Sequence, residues 1–185
     1  SSSKLMSILR FQYQIDAVKL ADKESEKFIL NVGCNVDPAS LKGYSEKVIN
    51  CDIHSYDEIM GRENNVDKLF DCGIETWPFD DNSCSLVVFG DIVEHLSYDE
   101  IIHAFKEAGR VAEKIVITCP QDPRCEDQVI EGVPKGAVHI TYTDETFLRD
   151  ALSNSDLGLV ELREIDYGFV PVGYLVTAVS YKNVG

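Results

Sequence analysis

The stretch Trp77-Pro78-Phe79-Asp80-Asp81-Asn82-Ser83-Cys84-Ser85-Leu86-Val87-Val88-Phe89-Gly90-Asp91-Ile92-Val93-Glu94-His95-Leu96 decides the fold. Its opening residues, rich in Pro, Asp, Asn and Ser, have the chemistry of a turn. Ser85 to Phe89 is then an unbroken apolar run of strand length, the pattern of a strand buried on both faces of a parallel sheet. Ser97-Tyr98-Asp99-Glu100 follows as an S-x-x-E capping box and predicts a helix through about Ala112.

Outward from this segment the same alternation repeats. Upstream, residues 5–21 carry apolar positions at helical spacing, and Phe28-Ile29-Leu30-Asn31-Val32 reads as a short strand running into Gly33. Lys47 to Cys51 is a second strand ended by Asp52, and a weak third lies near Leu69-Phe70. Downstream, Lys114 to Thr118 is a further strand, and Thr143 is expected to cap a helix whose first turn holds Asp144 and Glu145. Two last strands, about 157–165 and 173–181, follow each other without a helix and should pair antiparallel at one edge. The fold class is therefore α/β: a three-layer, Rossmann-like arrangement around a mostly parallel sheet with an antiparallel C-terminal edge strand. The 185 residues suit one domain, 1–185, with an N-terminal helix in 1–27, a first half in 28–119, and a loop with the last strands in 120–185.

Seventeen Lys and Arg stand against thirty-two Asp and Glu, a net charge of −15. Nucleic-acid binders need a basic footprint to release phosphate counterions, so this balance argues against them and against anionic lipid surfaces. The longest apolar runs fall far short of the ~20 residues that span a bilayer. Six cysteines without a C-x-x-C pair read as reduced packing residues, and with no hydrophobic leader they predict a cytoplasmic protein.

In open α/β sheets ligands bind beyond the carboxyl ends of the strands, so the residues there are the candidates. Gly33-Cys34-Asn35 permits a tight turn and close approach of backbone to a ligand, and Asp37-Pro38 suits a helix start. Asp52 stands nineteen residues beyond Gly33, the spacing of an acid that accepts from ribose hydroxyls. Asp71 could accept from an adenine amino group or serve a turn. Trp77 is expected to pack, and His54 and His103 to lie on the surface.

With these residues in place, the segment 77–96 resembles the "LPFxDxSFDLVVxxDVLEHL" stretch of class I S-adenosylmethionine-dependent methyltransferases, and the resemblance runs from about residue 28 to 180. It implies that S-adenosylmethionine would be bound by Asn31, Gly33, Cys34, Asn35, Asp52, Ile53, Asp71, Cys72, Gly90 and Asp91. Asn31 stands where the family usually has an acid, and Asn35 and Asp37 where it has glycines. The Asn/Asp-Pro-Pro-Tyr/Phe motif of amide methylation is absent after the fourth strand.

Asp91, Glu94 and His95, with His139 after the following loop, resemble the acid-x-x-Glu-His cluster of methyltransferases that make ubiquinone or methylate the 2′-hydroxyl of small RNAs. These four are the catalytic candidates. Three roles stay open for them: ligands of a divalent metal such as Mg or Mn, a direct histidine base, or structural capping. Residues Gln121 to Gly136 read as a substrate lid whose acids Asp122, Glu126, Asp127 and Glu131 suit a neutral or cationic acceptor. The expected function is methylation of a small-molecule or glycan hydroxyl, and the alternative is a binding or regulatory subunit that keeps the fold with weakened cofactor affinity.

Overall fold

The computed structural model describes residues 2–34, 40–57, 61–125 and 131–183. Asn35, Asp37, Pro38, Glu126 and Asp127 of the sequence reading lie outside these residues. The chain runs α1 (Ser2–Glu24), β1 (Phe28–Val32), β2 (Val48–Asp52), β3 (Tyr56–Asp57), β4 (Arg62–Glu63), β5 (Lys68–Leu69), β6 (Cys84–Gly90), α2 (Tyr98–Val111), β7 (Ala112–Pro120), α3 (Glu145–Ser153), β8 (Leu157–Ile165) and β9 (Gly173–Ser180). Seven strands form one sheet in the order β5-β2-β1-β6-β7-β9-β8, and β3 pairs with β4 in a separate antiparallel hairpin.

β5, β2, β1, β6 and β7 are mutually parallel, while β9 runs antiparallel to both β7 and β8. The antiparallel pair sits at one edge as expected. Its final strand, however, is inserted inside the sheet, and β8 forms the edge. The burial of the two strands explains this: β9 buries six of its eight residues, whereas β8 buries two of nine.

Two apolar layers cover the sheet. α2 and α3 pack on one face over Val87, Phe89, Ile115 and Ile117, and Phe70, Trp77, Phe89 and Phe105 extend that layer with ring centroids 5.5–6.0 Å apart. Trp77 is 1% exposed and its indole N–H donates to the Cys72 carbonyl at 3.0 Å, so it packs as expected. On the opposite face Ile15 and Val18 of α1 meet Ile29, Leu86, Val88 and Val116. The β1–β2 crossover carries, among its described residues, one short 3₁₀ turn (Lys42–Tyr44). The N-terminal helix covers this face of the sheet.

The capping box forms as read. The Ser97 hydroxyl accepts from the Glu100 N–H, and the Glu100 carboxylate accepts from the Ser97 N–H. The α3 cap is displaced by one residue from its expected place: Asp144 accepts from the Phe147 N–H at 2.8 Å. Thr143 is fully buried and its hydroxyl donates instead to the Pro120 carbonyl at 2.8 Å, tying α3 to the end of β7. Both residues can cap, and the bond to β7 withdraws the threonine. Five of the six cysteines are buried and all are free thiols. No helix among the described residues is long and apolar enough to cross a membrane.

Candidate functional site

A cavity of about 290 Å³ opens beyond the carboxyl ends of β1, β2, β5 and β6. Gly33, at φ +77°, turns the chain out of β1, and a side chain there would meet Ile92 at 2.9 Å. Asp52 ends β2, and one of its oxygens accepts from the N–H groups of Ile53 (2.7 Å) and His54 (3.3 Å). Asp52, Ile53, Asp71, Cys72 and Asp91 all line the cavity, as the strand-end rule required. Burial pushes the Cys72 thiol up to about 12, so it serves as apolar lining.

Three expected cofactor residues stand behind this wall. Asn31 is buried and faces Asn50, its register neighbour on β2; its amide donates to the Asn50 side-chain oxygen at 3.0 Å and to the Ser40 carbonyl at 3.1 Å. Asn50 in turn donates to the Ser40 hydroxyl at 3.0 Å. The pair anchors the chain after the glycine turn from beneath. Cys34 is fully buried and its N–H donates to the Cys51 carbonyl. Gly90 borders α1, where a Cβ would meet the Gln14 amide at 2.9 Å.

The four catalytic candidates come together at the β6 end of the cavity. Ligand atoms of Glu94, His95 and His139 all lie within 4.8 Å of one another, and the two imidazoles meet edge to face with centroids 4.7 Å apart. His95 lines the cavity. Its Nδ1–H donates to the Val138 carbonyl at 3.0 Å, which leaves the Nε2 lone pair facing Glu94 at 3.7 Å. His139 is held likewise, with Nδ1 3.0 Å from an Asp122 oxygen. Glu94 is 1% exposed, and one of its carboxylate oxygens has no hydrogen-bond partner among the described residues. Burial, then the Asp91 charge, pushes the Glu94 carboxyl well above its ordinary range. Burial, then the charge of His139, lowers His95 to about 4, so its imidazole is neutral at physiological pH.

Asp91 has φ +56°, an uncommon conformation for a residue with a side chain that costs of order 1–3 kcal/mol and collects at functional sites. Arg10 of α1 holds one carboxylate oxygen at 2.9 Å, and the Tyr167 hydroxyl donates to the other. The Arg10 guanidinium also stacks 5.0 Å from the Tyr167 ring centroid and 5.7 Å from that of Phe169. Burial raises the Asp91 carboxyl despite Arg10, and raises the Tyr167 phenol well above its usual value.

Arg10, Tyr167 and Phe169 escaped the sequence reading, because each joins the site from a distant part of the chain with no local signal. His54 was expected on the surface. It lines the cavity instead, with Nε2–H donating to the Lys135 carbonyl at 2.9 Å. His103 is capped by the Glu75 carbonyl at 2.6 Å, away from the cavity wall. Of the expected lid, Pro134, Lys135 and Gly136 line the cavity, and Ala137 just beyond it does so too. Asp122, however, is 6% exposed and engaged by Arg124 and His139, so it orients the histidine. Glu131 is exposed and absent from the cavity lining.

With this geometry established, the family model described as "Methyltransferase domain" matches residues 30–115. Solved structures of the same fold include magnesium protoporphyrin IX methyltransferase from Synechocystis PCC 6803 with bound SAM, 13% identical, TM-score 0.62, covering 96% of this chain and 83% of that one. A SAM-dependent methyltransferase from Methanosarcina mazei is 14% identical with TM-score 0.59 over 84% and 93%. Geranyl diphosphate C-methyltransferase from Streptomyces coelicolor A3(2), solved with Mg2+, geranyl diphosphate and S-adenosyl-L-homocysteine, is 11% identical with TM-score 0.61 over 91% and 78%. At these identities the likeness is one of fold. A comparison with curated proteins finds no match.

Proposed function

We propose that the chain, whose residues 30–115 match a methyltransferase domain, is a class I S-adenosylmethionine-dependent methyltransferase that methylates a hydroxyl group of a small molecule or glycan. The observation that carries this reading is the convergence of Glu94, His95 and His139 beside the cavity. In the proposed arrangement Gly33 and Asn35 receive the methionine end of the cofactor, with Cys34 backing the glycine turn, and Asp52 with Ile53 receives the ribose. Asp71 and Cys72 receive the adenine, and Asp91 borders the sulfonium with Gly90 behind it. Asn31 acts from beneath, through Ser40. A cavity of about 290 Å³ suits one such ligand, since small-molecule sites start near ~300 Å³.

When bound, S-adenosylmethionine would supply an electrophilic methyl group for in-line transfer to the acceptor oxygen with release of S-adenosylhomocysteine, and a hydroxyl acidified by the Glu94, His95 and His139 group would lose its proton to water in the open cavity. Glu94, His95 and His139 have the chemistry of a divalent-metal set: two imidazoles whose Nδ1 atoms are held by Val138 and Asp122, and a buried carboxylate oxygen with no partner among the described residues. A bound Mg or Mn would lower the pKa of the acceptor hydroxyl. The metal reading is favoured over a His95 base because an imidazole held near 4 is a poor proton acceptor at neutral pH. Asp91, fixed by Arg10 and Tyr167, sets the charge beside this group. The fold also accommodates Mg2+ in the Streptomyces C-methyltransferase.

Two measurements test the proposal. S-adenosylhomocysteine should raise the melting temperature, by mass action on the folded state; no shift at millimolar ligand counts against cofactor binding and favours a binding or regulatory module. Labelled methyl transfer to a panel of hydroxyl, carbon and amine acceptors should favour hydroxyls, be lost with chelator and return with Mg or Mn. Transfer confined to carbon or nitrogen would overturn the acceptor class.

A further inference from the structure

The segment that crosses the cavity is a built turn. The Pro134 carbonyl accepts from the Ala137 N–H at 3.1 Å, and Gly136 sits at φ +85°. That is the third residue of a four-residue turn, where left-handed backbone favours glycine. The turn presents Lys135 at its tip. The Lys135 ammonium lies 2.6 Å from an Asp71 oxygen and 2.8 Å from a Glu100 oxygen, and its carbonyl accepts from His54. One residue thereby fastens the turn to three places: the chain after β2, the chain after β5, and the capping box of α2.

The other Asp71 oxygen accepts from the Gly73 N–H at 3.0 Å, so this carboxylate is fixed from both sides. We propose that Lys135 is a positioning residue for cofactor binding: it fastens the turn 134–137 as the outer wall of the adenine end of the cavity and sets Asp71 to receive the adenine amino group. This rests on the cofactor reading given above. Asp52, Asp71 and Glu100 bring three carboxylates to one end of the site, and the ammonium offsets two of them. Burial pushes Glu100 up, yet Lys135 and the Ser97 bonds outweigh it and hold the carboxyl below its ordinary range. The same acids act on Lys135 in the opposite sense and raise it.

The test is titration calorimetry of the whole chain with S-adenosylhomocysteine. Lys135→Met should weaken binding about three- to tenfold, the scale of two partly exposed ion pairs. Lys135→Arg should restore affinity, and added salt should narrow the gap between wild type and Lys135→Met by screening. Glu100→Gln keeps the capping box and loses the charge, so it should weaken binding less and add little on top of Lys135→Met. The melting temperature without ligand should fall by no more than a few degrees in Lys135→Met, the scale of the two lost ion pairs, so that the chain is fully folded at the titration temperature and positioning is read apart from folding. Equal binding by Lys135→Met overturns the inference and leaves the cofactor reading standing. Tighter binding also overturns it, and identifies the turn as a plug that the cofactor displaces. No binding by wild type overturns the cofactor reading itself, and this inference with it.

Discussion

The two ends of the cavity are both built from acids, yet they hold them in opposite states. At the β5 end Asp71 and Glu100 meet an ammonium that is 42% exposed, and Glu100 stays ionised. At the β6 end Glu94 is enclosed beside Asp91, and burial with the neighbouring charge drives its carboxyl up. Residue type does not decide the difference. Access to water and the position of one cation do. The first end is suited to recognising a neutral donor such as an amino group, the second to chemistry that needs a poised proton or a divalent cation.

Four experiments can break or sharpen this contrast, and the first carries the largest effect. Glu94→Gln should abolish divalent-metal binding, by more than about a hundredfold, since even the outer partners of metal ligands carry ten- to hundredfold. S-adenosylhomocysteine affinity should be unchanged in the same titrations. Loss of both together would show that the two ends are not separate.

Next is the pH dependence of stability that His95 imposes. Below pH 6.5 the unfolded chain takes a proton on this imidazole that the folded chain refuses until about pH 4, so acidification through that window destabilises the fold. The loss is roughly 3 kcal/mol at its limit. Denaturant unfolding from pH 7 to 4 should be flatter in His95→Gln, and an equal slope would refute the enclosure of this end.

A smaller effect belongs to Asp52→Ala, which should lower S-adenosylhomocysteine affinity about ten- to hundredfold by removing charge-assisted hydrogen bonds to the ribose. Unchanged affinity would remove Asp52 from the binding site. The smallest is expected for Asp122. The Arg124 guanidinium, with backbone and His139 bonds, holds its carboxyl down to about 2. The stability it adds is present above about pH 4 and is lost as pH falls toward 2, so Asp122→Asn should be less stable than wild type at neutral pH, with the gap closing between about pH 4 and 2.

The first end was largely legible in the sequence and the second only in part, for a physical reason. Asp52 and Asp71 end apolar runs, and a strand that stops on an acid places that acid beyond the sheet whatever the rest of the chain does. The alternation of strands and helices was local information too, and the β1 and β8 boundaries matched residue for residue. Glu94 and His95 share that advantage, since one turn after β6 carries both. What closes the site around them does not: Arg10, Tyr167 and Phe169 arrive from separate segments, and their partners follow from tertiary packing. Asn31 shows the remaining hazard. Its place in β1 was read correctly, but its neighbour Asn50 on β2 turns it toward an internal network.

The N-terminal helix has a consequence for how the chain is made. α1 precedes every strand of this sheet, yet it packs on β6 and β7: Gln14 donates to Thr118 across 104 residues, and Arg10 meets Asp91. The contacts of α1 to β6 and β7 can form only after the centre of the sheet has been made, although Ile15 and Val18 already have Ile29 of β1 to pack on. Docking of α1 is a late, long-range closure, the kind of contact that slows folding. The residue that neutralises Asp91 thus reaches the site only when most of the protein around it exists.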